Sequence, residues 1–238
     1  MSVSAIFYPH ANILSLPGDI VLVSSDRVFF YVSYVLLTTA SENGFGYILP
    51  NNMFTSEQSP AVFALPENSH VLNVILHTMY SMPANAFGPS VGTLRAAVTG
   101  LVKYGVPLQI FVARGTPLYN LFIAIAPQAP VDIYALAGRY NLYDLAAETS
   151  PLLLAHKMED ITPEQAEQMG PIYLNRLIGL QSRRVEVLKY VLKAPPRRHP
   201  ETESCKAGDQ DRLLRAWELT AAYFVWEQRP GTCRIRMK

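Results

Sequence analysis

Histidine, cysteine and the carboxylates are the side chains that hold metal ions and move protons, and in this chain they are scattered. The histidines, His10, His70, His77, His156 and His199, form no His-Glu-x-x-His run, and no Cys-x-x-Cys pair or calcium-loop spacing converges several ligands on one ion. His199, Cys205 and Cys233 are of zinc-ligand type, but they come from a loop and a tail and no fourth ligand accompanies them. Gly44-Phe45-Gly46 is part of a glycine-rich turn, without the Lys-Ser/Thr of a phosphate loop or the third glycine of a dinucleotide fingerprint. No serine nucleophile is assigned. The chain is therefore read as a non-enzyme that needs no cofactor and no metal, an enzyme of unrecognised type being the least supported alternative.

Charge and aromatic clusters point to contacts between proteins. Arg183-Arg184 and Arg197-Arg198-His199 are small basic clusters, read either as solvated surface or as contacts for an acidic partner or a nuclear-import signal. Trp217, Tyr223, Phe224 and Trp226 make the last helix aromatic, for packing onto preceding helices or, if exposed, for a partner. The 20 basic residues nearly balance the 19 acidic ones, so the field that gathers nucleic-acid phosphates is missing and direct nucleic-acid binding is not expected. With 50% apolar and 16% charged residues the chain has enough apolar surface to fold. The two cysteines lie late in the sequence, which is no disulfide framework, and an intracellular location, cytoplasm or nucleus, follows as the expectation. The apolar runs around Val28–Leu37 and Leu118–Ala126 are shorter than the roughly 20 residues a membrane-spanning helix needs.

The elements that must position these residues are legible in the spacing. Asp19 to Val23 and Val28 to Val32 are β-rich runs about a Ser24-Ser25-Asp26 turn, predicting a hairpin that feeds a short helix with Ser33 as its cap. Phe45 to Pro60 reads as loop, Ala61 to Leu65 as a third strand, and Val71, Leu72, Ile75, Leu76 and Met79 as one broad face of a helix capped by Asn68 or Ser69. Helices are predicted from Val91 to about Tyr104, stopped by Gly105 and Pro107, from Pro117 to Ala126, and as a pair between Pro130 and His156 with a break near Asn141. Thr162-Pro163-Glu164-Gln165 opens a long helix that runs to Leu192 and ends at Pro195-Pro196. A polar loop then leads to a last helix from about Asp211 to Trp226, with a frayed tail from Arg229.

Asp19-Ile20-Val21-Leu22, the Ser25-Asp26 turn and the run Phe30-Tyr31-Val32-Ser33-Tyr34-Val35-Leu36-Leu37-Thr38-Thr39-Ala40-Ser41 together resemble the opening of a BTB/POZ domain. That opening has an acidic residue before a strand, a hairpin, then Phe-x-Val-His-Lys leading into a helix that ends in Ser followed by Phe. The Leu-Pro-Glu strand end, the Val71–Tyr80 helix with Ser81-Met82-Pro83, and Lys103-Tyr104-Gly105-Val106 are similar to the rest of the domain. Ile133-Tyr134-Ala135-Leu136-Ala137 and Asn141-Leu142-Tyr143-Asp144-Leu145-Ala146 resemble the helical continuation of a fungal, mushroom-type BTB group. The pattern departs at Ser33 and Tyr34, where the family carries His and a basic residue.

The resemblance covers about residues 17–195 and implies an α+β, mainly helical fold, a small sheet with surrounding helices followed by an all-α extension. Its segments would be 1–16 at the N-terminus, 17–115 for the BTB/POZ-like domain, 116–195 for the extension, 196–210 for a loop and 211–238 for the last helix and tail. The implied function is that of a scaffold or adaptor for other proteins, as a homodimer or in a cullin-type ubiquitin ligase; a transcription-associated regulator is the alternative. Candidate protein-binding residues are Asp19, Ser33, Tyr34, Arg183 and Arg184.

Overall fold

Four short strands make the sheet: β1 (Ser2–Val3), β2 (Ile20–Val23), β3 (Val28–Val32) and β4 (Ala61–Ala64), in the order β1-β3-β2-β4. The structure, a computed structural model, describes residues 2–50 and 60–227. The two β-branched runs pair antiparallel, Ile20 opposite Val32 and Leu22 opposite Phe30, and β4 adds in parallel to the free edge of β2. That central position explains why Ile20, Val21 and Leu22 are all at most 2% exposed, whereas β4 alternates as an edge strand does. The predicted fold class stands: an α+β, mainly helical protein with a small sheet.

Among the described residues, eight α-helices join this sheet in the first of two compact units, Met1–Thr149. They are α1 (Tyr34–Ala40), α2 (Gly44–Tyr47), α3 (Ser69–Met79), α4 (Val91–Lys103), α5 (Leu108–Phe111), α6 (Pro117–Ile125), α7 (Pro130–Arg139) and α8 (Tyr143–Thr149). Asn68, Ser90 and Thr116 each accept a backbone N–H at the start of a helix, and such caps contribute about 1 kcal/mol apiece. Helix α3 differs from its expected one-sided burial, because every residue from Val71 to Met79 is buried. Its polar members are satisfied within the helix: His77 Nδ1 donates to Asn73 O at 2.7 Å and Thr78 Oγ1 to Val74 O at 2.8 Å. Phe7, fully buried, lies edge-on to His77 and Tyr80, so the segment 1–16 supplies part of this core.

The compact division at Thr149 does not coincide with the family-derived boundary after residue 115. Helices α4 and α7 are bonded in one body, by Arg95–Asp132 at 2.9 Å and Thr99–Tyr140 at 3.1 Å.

The second unit, Ser150–Lys238, holds 3-10 turns at Ser150–Ala155 and Met158–Asp160 and two long helices, α9 (Pro163–Leu192) and α10 (Ala207–Glu227). Thr162 and Gln165 form the expected capping box, and α9 kinks at Gly170, where φ is +68° just before Pro171. Gln181 Nε2 ties α9 to the first turn through Leu153 O at 2.7 Å and His156 O at 3.1 Å. Helix α10 begins four residues before the predicted Asp211, which shortens the expected 196–210 loop. Gln210 is the reason, exchanging bonds with the His199 backbone N–H and C=O at 3.2 and 3.0 Å. The predicted frayed tail from Arg229, and Cys233 within it, lie outside the described residues.

Asp26 and Glu67 join the sheet to the helices by charge. Asp26 accepts from Ser69 N and Oγ at 2.8 and 2.6 Å, and hydrogen bonds from Ser24 and Ser69 hold its carboxyl down at about 2 from the ordinary 3.8. Burial pushes the Glu67 carboxyl up, but hydrogen bonds from Lys103 and Tyr104 outweigh it and leave it below its usual value. Both groups bind protons less readily when folded, so their stabilisation is complete above the unfolded pKa and lost as pH falls through the folded one. Denaturant melts between pH 5 and 2 are expected to show falling stability, with a flatter slope between about 4 and 2 in Asp26→Asn.

Candidate functional site

The predicted contact residues of the first unit sit where β3 turns into α1, and two of them are fastened inward. Asp19 Oδ1 accepts the Tyr34 N–H at 2.6 Å, so the carboxylate ahead of β2 caps the helix that follows β3. Ser33 occupies the cap position, yet its side chain makes no capping bond, contrary to expectation. Its N–H donates to the Tyr80 hydroxyl at 2.7 Å, and the residue is only 2% exposed. Burial pushes the Tyr80 phenol up from its ordinary value, so the hydroxyl stays neutral at physiological pH. The Tyr34 hydroxyl donates to Pro50 O. These three residues therefore set the geometry of a surface, and Ser33 is out of reach of a partner.

A groove of about 290 Å³ lies farther along the same unit, lined by Glu42, Val102, Gly105, Pro107, Gln109 and Tyr140 among others. Its shape follows from how the chain leaves α1 and ends α4. Helix α2 is a single left-handed turn, with φ between +55° and +70° at Gly44, Phe45, Gly46 and Tyr47. Such a backbone costs roughly 1–2 kcal/mol at each non-glycine residue and must be held from outside. Ser41 Oγ accepts the Phe45 N–H at 2.7 Å and donates to Tyr104 O at 2.7 Å, while Asn43 Oδ1 accepts from Gly46 N at 2.7 Å. The Phe45 ring stacks on Tyr104 at 4.1 Å with the planes 5° apart.

The Tyr104 hydroxyl donates to Glu67, which also receives Lys103 Nζ at 2.7 Å. Burial, and then the Glu67 carboxylate, push the Tyr104 phenol far above its normal range. Gly105 closes the arrangement with φ at +68°, where an added Cβ would stand 2.4 Å from Asn43 Oδ1. Its carbonyl accepts from Glu42 N at 2.8 Å.

Glu42 is the one acidic or basic side chain in the groove's lining, and Val102 and Ile110 beside it are 47% and 64% exposed. Among the described residues no group of three or more His, Cys, Asp or Glu is placed to hold a metal ion. His199 Nδ1 donates to Pro200 O at 2.7 Å, and Cys205 is a free, partly exposed thiol.

Contrary to the expectation that the chain has no hydrolase elbow, Gly88-Pro89-Ser90-Val91-Gly92 has the Gly-x-Ser-x-Gly spacing of one. No strand leads into it, and Ser90 Oγ caps α4 through Thr93 N at 3.1 Å with ordinary φ/ψ of −68° and 161°. An elbow serine sits instead on a strained strand-to-helix turn with its oxygen exposed to a base. Ser90 is thus a cap.

Arg183 and Arg184 lie on α9 in the second unit, the first exposed and the second partly buried. They share no surface with Asp19, Ser33 and Tyr34 within one unit. On α10, Leu213, Leu219 and Tyr223 are 58%, 75% and 56% exposed, and Trp217 Nε1 donates to Leu192 O at 3.3 Å. Trp217 thus reaches the end of α9, while Tyr223 is largely exposed and lies edge-on to Phe224 at 6.2 Å.

The chain matches no family model, no curated protein and no solved structure. Among the described residues no helix is long and apolar enough to cross a membrane.

The caps can be ranked by melting temperature. Asp19→Ala, which removes a helix cap, is expected to cost about 1 kcal/mol, and Ser33→Ala less, since no cap is lost. Tyr80→Phe leaves the buried Ser33 N–H without an acceptor and is expected to cost about 1–3 kcal/mol.

Proposed function

We propose that this chain is an intracellular protein-interaction module of BTB/POZ type, acting as a scaffold or adaptor in the cytoplasm or nucleus. The observation that carries the reading is the groove beside α4, lined by polar Glu42, Gln109 and Tyr140 as well as apolar Val102 and Pro107, and held by the Ser41–Asn43–Tyr104–Glu67 network. A preformed concavity that offers both apolar surface and a few placed polar groups binds peptide segments without large ordering costs. The order of elements adds support: a hairpin running directly into a helix, a later strand completing the sheet, then paired helices. The partners this reading implies are a second copy of the chain and a cullin-type ubiquitin ligase.

Light scattering of the purified protein and titration with the N-terminal domain of a cullin address the two partners separately. A dimer mass or saturable cullin binding is expected, and Val102→Glu in the groove should weaken cullin binding by roughly tenfold, about 1.4 kcal/mol. As a surface substitution it should change stability by less than about 0.5 kcal/mol. A monomer that binds no cullin would sink the reading.

A further inference from the structure

Helix α9 carries a second surface that the groove does not use. From Tyr173 the helix buries one side, including Leu177, as a soluble amphipathic helix must. The other side presents Ile172, Arg176, Gly179, Arg183, Val187 and Tyr190, all exposed, at steps of three and four residues. Residues so spaced form one continuous stripe along a helix. A solvated face ordinarily carries Glu, Lys and Gln, yet here Ile172, Val187 and Tyr190 are 64%, 54% and 80% exposed. Arginine, tyrosine and large aliphatic groups are the types that anchor protein interfaces.

Gly179 sits mid-stripe with nothing within 4 Å of where a Cβ would stand. Glycine inside a helix costs about 1 kcal/mol against alanine, and no contact among the described residues requires it there. A bare backbone does let a second helix approach closely.

Charge selects the occupant. Between residues 168 and 200 the chain has seven arginines and lysines (Arg176, Arg183, Arg184, Lys189, Lys193, Arg197, Arg198) and a single acid, Glu186. The near balance of the whole chain conceals this local excess. A second copy of α9 would set arginine against arginine, which is repulsive. A nucleic-acid backbone would meet Ile172, Val187 and Tyr190 where it needs cations.

We propose that this stripe docks an acidic amphipathic helix of another protein. Its carboxylates lie over Arg176 and Arg183, its apolar side chains over Ile172, Val187 and Tyr190, and its closest approach is at Gly179. The surface belongs to the second unit alone and does not rest on the BTB-type reading of the first.

Fluorescence anisotropy with the full chain tests it. The probe is a synthetic helical peptide with Glu facing the two arginines and Leu facing the apolar positions. The same peptide with Lys for Glu, a DNA duplex and phosphatidylserine vesicles serve as competitors. The acidic peptide should bind at least about tenfold tighter than the lysine peptide, with about 1.4 kcal/mol separating them. Arg176→Glu combined with Arg183→Glu should invert that preference. Gly179→Leu should weaken binding while circular dichroism keeps its helical signal, and Val102→Glu should leave it unchanged. Equal binding of the two peptides, stronger binding of DNA or vesicles, or indifference to the paired arginine substitutions would overturn the proposal.

Discussion

The first unit turns on Tyr104. Its ring, fully buried, stacks on Phe45; its carbonyl takes the Ser41 hydroxyl; its own hydroxyl reaches Glu67 at the end of the third main strand. One side chain thus connects the exit from α1, a left-handed turn, the last turn of α4 and the segment after β4. None of these pieces is stable in isolation. A left-handed turn with two non-glycine residues costs energy, and an edge strand of four residues is marginal. Stacking and buried hydrogen bonds offset those costs because they act together in a place that excludes water.

That network also explains how the wall of the groove beside α4 is held in place. Gly105 has to be glycine twice over, for its positive φ and for the side chain of Asn43 that occupies the space of a Cβ. The chain is thereby turned sharply into Val106 and Pro107, and the groove wall follows the turn. Glu42 is the one acidic or basic side chain in its lining.

Much of this was legible beforehand, and for local reasons. The hairpin, the Asn68 cap, the Thr162–Gln165 box and the breaks at Gly105 and Asn141 depend on residues within a few positions of one another. What failed depended on distant partners. Ser33 looked like the cap of α1, but Asp19 reaches across the hairpin and takes that role. Helix α10 began early because Gln210 pairs with His199, eleven positions back. Helix α3 looked one-sided since Asn73, His77 and Thr78 are polar, yet all three are buried, and hydrogen bonds to the helix's own carbonyls make the burial of His77 and Thr78 tolerable.

By itself the sequence determined the class of fold and the longer elements in their order, though not β1, α2 or α5, because hydrophobic spacing and capping chemistry act over one or two turns. It also contained the local excess of positive charge between residues 168 and 200. Tertiary structure alone decided which candidate contacts were available. It placed Ser33 inside, put Asp19 to work as a cap, converted an apparent serine elbow into a helix cap at Ser90, and left Arg183 in a solvent-facing stripe with Ile172, Val187 and Tyr190. Exposure and long-range hydrogen bonding are properties of the packed chain, so no reading of neighbours along it could have supplied them.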